Sequence, residues 1–227
     1  MSELTTIQTD DYLVPFYLAT PRSGTGPGVI VLHAWWGLND FFKELCDRLA
    51  QAGFVALAPD LYGGKIASTI TEAQALINSL NQAEAEAKII RALDHLHRHP
   101  AVLAKNLGVI GFSMGAAYGL WLSALQPEHI KAVVVFYGTW AIDFGPSQAA
   151  YLGHYAEVDD WEPTEEVQQL ASNLRTAGRE AIFHTYAGVG HWFFESNRPD
   201  VYNPEAAQLA WERTLAFLKT QLKVEEQ

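Results

Sequence analysis

Gly111-Phe112-Ser113-Met114-Gly115 sets one serine between glycines two residues away on each side. A serine hydroxyl is a weak nucleophile unless a base takes its proton. The residues before it, Leu107 to Phe112, form a short apolar run. The residues after it, MGAAYGLWLSAL, read as a helix. G-x-S-x-G between a strand and a helix is the pattern of a nucleophile elbow. In that turn the serine backbone is strained, so its neighbours lack side chains to avoid collision. The hydroxyl then stands beyond the strand's carboxyl end. The amide of Met114, at the helix start, can face a developing oxyanion. The bland alternative is a chance string in a Gly-rich chain, so the downstream residues must decide.

A base and an acid should follow in the order serine, acid, histidine. His191, in YAGVGHWFF, lies in a Gly-flanked loop after the last expected strand, where a side chain can reach back over the sheet. His184 and His154 fall inside expected strands and read as packing residues. The acid should stand in the loop after the preceding strand, where a carboxylate can hold an imidazole in one tautomer. LGHYAEVDDWEP offers Glu157, Asp159, Asp160 and, further on, Glu162. Position alone hardly separates Asp159 from Asp160, and either could be a cap or a solvated loop charge.

These residues need a scaffold, and the pattern supplies one. Val29–Ala34, Phe54–Pro59, Leu107–Phe112 and Lys131–Gly138 are continuous apolar runs, the mark of strands buried on both faces. Ala149–Ala156 and Glu180–Ala187 read as further strands. Asp11–Ala19 is another, and Pro15 inside it suggests an edge position. Helices are expected from Asn39 or Asp40 through Ala52, over Thr71–His99 as one or two pieces, after Ser113, over Pro163–Ala177, and from Pro204 onward. Strands and helices alternate. The expectation is an α/β fold, with a mainly parallel central sheet of about seven or eight strands and helices on both faces. In such sheets ligands sit beyond the strands' carboxyl ends.

Composition narrows the class. The chain has 227 residues, 49% of them hydrophobic, which suits one well-buried domain over residues 1–227. The net charge of −11 opposes nucleic acid and anionic lipid as partners. Cys46 is the single cysteine, which excludes an internal disulfide and reads as an inert buried thiol. No apolar run approaches the roughly 20 residues of a membrane span, and the N-terminus has no apolar signal core. A soluble, cytoplasmic protein is expected.

Taken in order, LHAWWGLND, APDLYGG, GFSMGA, HYAEVDDWEP, GVGHWFFE and AAQLAWERTLAFL resemble the dienelactone hydrolase family of α/β-hydrolases, from about Pro15 to Leu218. The resemblance implies the α/β-hydrolase fold. The family's acid stands four residues before a proline, which assigns Asp159, before Pro163, rather than Asp160. The oxyanion donors map to the backbone amides of Met114 and Trp35, the latter just after a strand, where a second donor is also expected physically. Three departures stand out. The family's cysteine nucleophile is Ser113. A glutamate that helps prepare the thiolate is replaced by Ala34, in keeping with a serine that needs no separate thiol base. Two arginines that bind the substrate carboxylate correspond to Gly64 and Glu195. Loss of that clamp, with an added negative charge at Glu195, argues against dienelactone itself as substrate. Lys65, beside Gly64, is a weak substitute cation and reads first as a solvated surface lysine.

Other features absorb less meaning. His95, His97 and His99 in HLHRHP are not expected to share a helix face, and suit the helix dipole better than a metal. His33, Trp36, Tyr137 and Trp192 are candidates for lining an aromatic acyl or lactone pocket, with Trp140 and Trp161 nearby. No dinucleotide fingerprint or Walker loop occurs, so no cofactor is expected. The resulting expectation is a cofactor-free serine hydrolase acting on a small ester or lactone through Ser113, His191 and Asp159. Acyl transfer or amide cleavage on the same triad, and a non-catalytic binding protein on the same fold, are the alternatives. Oligomeric state is not legible.

Overall fold

The computed structural model describes residues 1–8 and 13–223. Among the described residues, eight strands are hydrogen-bonded in the order β1-β2-β4-β3-β5-β6-β7-β8. The chain groups into two compact units, Met1–Leu107 and Gly108–Lys223, and the boundary falls inside β5 (Val102–Phe112).

The first unit holds β1 (Ser2–Gln8), β2 (Leu13–Ala19), β3 (Gly26–Leu32), α1 (Asp40–Gln51), β4 (Val55–Pro59), α2 (Ile70–Ser79), α3 (Gln82–Arg98) and the start of β5. β3 and β4 are parallel, and β2 pairs antiparallel with both β4 and β1. β1 corrects the expectation that β2 lies at an edge. Pro15 is tolerated because its carbonyl accepts from the Asp60 N–H at 2.8 Å while the β2–β4 register begins one residue on, at Phe16↔Pro59. Its missing N–H therefore falls off that ladder. Residues 11 and 12 of the expected strand lie outside the described residues.

Asn39 caps α1 by accepting from the Phe42 N–H, and the stripe Phe42, Leu45, Cys46 and Leu49 is buried. The long helical stretch is two helices. Thr69 and Glu72 form a reciprocal capping box at α2, and Asn81 caps α3. At the end of α3 the rings of His95 and His99 stand 5.9 Å apart. His99 is the extended C-cap residue past the last helical turn, so this approach does not put the three histidines on one helix face.

The second unit holds the end of β5, α4 (Met114–Leu125), β6 (Ile130–Phe136), β7 (Ala150–Ala156), α5 (Thr164–Thr176), β8 (Ala181–Tyr186) and α6 (Pro204–Gln221). β6, β7 and β8 are mutually parallel, in register Ala132↔Ala150 and Tyr151↔Ala181. Every residue of β7 is buried. Phe112 and Phe136 stack at 4.6 Å between ring centres, and Phe194 packs on both. Four loops leave the carboxyl ends of β5, β6, β7 and β8. They carry Ser113, Tyr137, Asp159 and His191.

Candidate active site

Ser113 links β5 to α4 with φ 48° and ψ −112°. Its N–H donates to the Phe136 carbonyl at 2.9 Å, which pins the turn to the end of β6. Gly111 must be glycine here. A Cβ would stand 2.3 Å from the Gly115 carbonyl oxygen and 2.6 Å from the Ala116 Cα. Serine is a favoured N-cap residue, which would be the bland reason for finding it before a helix. Yet its hydroxyl makes no capping bond to α4. The Ser113 Oγ instead lies 3.0 Å from His191 Nε2.

The other ring nitrogen of His191, Nδ1, stands 2.9 and 2.8 Å from the two carboxylate oxygens of Asp159. A carboxylate only accepts, so Nδ1 carries the proton and donates. Nε2 is then left to accept from the serine hydroxyl. Both the histidine and the aspartate side chains are 4% exposed, so the pair is shielded from water. Asp159 Oδ1 also accepts from the N–H groups of Trp161 and Glu162 at 2.9 and 3.0 Å. That local turn separates the neighbouring aspartates. Asp159 points inward, Asp160 is exposed, and Glu157 is exposed and occupied with the Gly188 N–H. His154 is fully buried between Tyr186 and Thr214, and burial pushes its pKa well down.

Three non-glycine residues of the described chain have positive φ: Ser113, Tyr137 at 39° and Trp192 at 64°. All three belong to this cluster, and such strain collects at functional sites. The Trp192 ring meets His191 edge-on at 4.7 Å and packs on Trp161 at 5.6 Å. Trp140 and Trp161 are about half exposed. Trp140, Thr139, Glu166 and Asn173 line a cleft of about 390 Å³. Thr139 Oγ1 donates to Glu162, whose carboxyl is pushed up to about 7, chiefly by burial.

Tyr137 is buried rather than open to solvent. Its ring lies 4.8 Å from that of His191, and its hydroxyl donates to Glu195 Oε1 at 2.9 Å. Glu195 corrects a sequence expectation. It is fully buried, and burial pushes its carboxyl up to about 8, so it is mostly uncharged at neutral pH. The Tyr137–Glu195 pair escapes sequence reasoning. The one available signal is an acidic residue closing the apolar run HWFF.

In the first unit, Ala34, Trp35 and Trp36 follow β3 in a turn closed by the Gly37 N–H on the Ala34 carbonyl. All three are buried. His33 is buried too. Its Nδ1 donates to the Ala34 carbonyl and its Nε2 accepts from the Leu61 N–H, so both nitrogens serve the backbone. Gly64 has φ +88°, a conformation that strains any side chain, and its N–H donates to Asp60. Lys65 is exposed. Among the described residues no group of three or more His, Cys, Asp or Glu could hold a metal. No described helix is long and apolar enough to cross a membrane.

Comparison with known proteins agrees with this architecture. A model of the dienelactone hydrolase family matches residues 14–222. "Protein usf" of Aquifex pyrophilus is 36% identical, over 98% of this chain and 100% of the relative. A protein of Aquifex aeolicus named "Putative carboxymethylenebutenolidase" is 32% identical, over 98% and 100%. The crystal structure titled "Putative Dienelactone Hydrolase" from Klebsiella pneumoniae superposes with a TM-score of 0.85 at 28% identity, covering 96% of this chain and 97% of that one.

Proposed function

Because the chain belongs to the dienelactone hydrolase family of α/β-hydrolases, we propose that it is a serine hydrolase that cleaves a small ester or lactone through an acyl-enzyme. What carries this reading is the unbroken hydrogen-bond chain Ser113–His191–Asp159, with the serine at positive φ and excluded from helix capping.

Ser113 Oγ attacks the substrate carbonyl carbon as His191 Nε2 takes its proton. Asp159 holds the imidazole in the Nδ1–H tautomer and stabilises the imidazolium that forms. Negative charge grows on the carbonyl oxygen. The Met114 amide, in the first turn of α4, is the donor offered to it, and the dipole of that helix has the right sign. The resemblance assigns the second donor to the Trp35 amide. Collapse of the tetrahedral intermediate breaks the ester bond, and the leaving alkoxide takes the proton from His191. Water then attacks the acyl-enzyme as Nε2 takes its proton; the bond from the acyl carbon to Ser113 Oγ breaks, Oγ recovers the proton from Nε2, and the acid leaves.

The acyl group expected is uncharged. Gly64 offers no cation and Glu195 is a buried acid bound to Tyr137, so neither position supplies a carboxylate clamp. Uncharged esters and lactones should therefore turn over faster than their carboxylate-bearing analogues. An activated ester should give a pre-steady-state burst, and a fluorophosphonate should label Ser113. Ser113→Ala should abolish both. Unchanged turnover in that variant would overturn the assignment.

A further inference from the structure

Resting on the reading of His191 as base, we propose that Tyr137 is a positioning residue, its ring backing the imidazole of His191 and its hydroxyl anchored by Glu195. Tyr137 follows β6 immediately. Its N–H donates to the His154 carbonyl at 2.8 Å, and the residue before it accepts the Ser113 N–H. The backbone that locates the serine thus also locates this ring. Tyr137 holds φ 39°, an unfavourable conformation for an aromatic residue, which aims the ring at His191. The ring is held in turn by Phe193, edge-on at 5.7 Å.

Glu195 stands on the loop that carries the base. Its N–H donates to the Trp192 carbonyl at 2.9 Å, within the turn that follows His191. The bond from Tyr137 Oη to Glu195 Oε1 therefore joins the end of β6 to the His191 loop. The other carboxyl oxygen, Oε2, is buried with no hydrogen-bond partner in the structure. Burial outweighs both this one hydrogen bond and the Arg198 charge, so the carboxyl is costly to keep and retention for packing alone is a poor explanation. A base displaced by a fraction of an ångström loses rate without losing substrate affinity. Holding the imidazole is a role that the cost would serve.

The test is a variant series on the full chain, read by kcat, KM and the rate at which a fluorophosphonate labels Ser113. Y137F keeps the ring and removes the hydroxyl. E195A removes the anchor, and E195Q keeps an oxygen that can accept the same bond. Expected are losses of about tenfold in kcat and labelling rate for Y137F and E195A, with KM changed by less than about twofold. E195Q should retain most of the rate. The double variant Y137F/E195A should be no slower than the worse single variant, because both break one bond. Wild-type rates in Y137F would overturn the inference, as would E195Q falling as far as E195A. If E195A does not fold, Y137F and E195Q still decide. Absence of labelling in the folded wild-type protein would instead overturn the serine hydrolase reading itself.

Discussion

At the scale of single residues, Asp159 and Asp160 are chemically identical and adjacent, and only their surroundings differ. Asp159 is fixed by two backbone donors and faces His191, while Asp160 faces solvent. Asp159→Asn keeps the shape but presents an amide to Nδ1, which favours the wrong tautomer. In a serine triad that loss costs on the order of 10⁴ in kcat. Asp160→Asn should leave kcat within about twofold of wild type. Steady-state turnover of an activated ester compares the two directly. Residue types and motif order make Ser113 and His191 legible along the chain. The choice of Asp159 needs either the resemblance or the turn itself, because adjacent positions in a loop carry no periodicity to separate them.

At the scale of elements, the strand–turn–helix around Ser113 is the piece most legible in sequence. An apolar run, two glycines and a helix former each mark their own boundary. The cost of altering it is local. Gly111→Ala drives a methyl into the backbone of Gly115 and Ala116. Overpacking of this kind costs about 1–3 kcal/mol. A lowered midpoint in urea unfolding and slowed fluorophosphonate labelling should appear together in that variant. β1 is the least legible element. Ser2–Gln8 is largely polar, with no apolar run to mark it, and becomes a strand by pairing along the whole of β2. That pairing is also why Pro15 misleads, since an edge residue by composition becomes interior once a neighbour is added.

At the scale of the whole molecule, buried ionisable groups couple stability to pH. Burial raises the Glu195 carboxyl, and outweighs the Tyr137 bond and the Arg198 charge, which both lower it. Glu195 titrates near 8 in the folded chain against an ordinary 4.5, so the folded state holds a proton that the unfolded state gives up. The stability this proton confers is complete below about 4.5, falls as pH rises toward 8, and is gone above it. The span from 4.5 to 8 corresponds to about 5 kcal/mol as an upper bound. Glu195→Gln has no such proton. Chemical denaturation at a series of pH values should show the variant gaining on wild type from about pH 5 to 8 and holding level beyond. A constant difference across that range would contradict the buried-acid reading. Cys46 reports on the first unit, Met1–Leu107. It is fully buried in α1, and burial pushes its thiol pKa far up. A thiol reagent should modify it only as fast as that unit opens.

The sequence by itself determined the α/β class and the family, and it singled out Ser113 and His191, which the fold brings within 3.0 Å of each other. Apolar runs, glycine spacing and motif order are local or sequential properties and can be read along a chain. Tertiary structure alone decided that β2 is interior and that Glu195 is a buried acid bonded to Tyr137 rather than an added negative charge, and the turn after β7 turns Asp159 rather than Asp160 toward the imidazole, as the resemblance implies. Each of these depends on what lies across space from a residue. A carboxyl's charge state follows from its burial and its partner, and neither is written in the residues beside it.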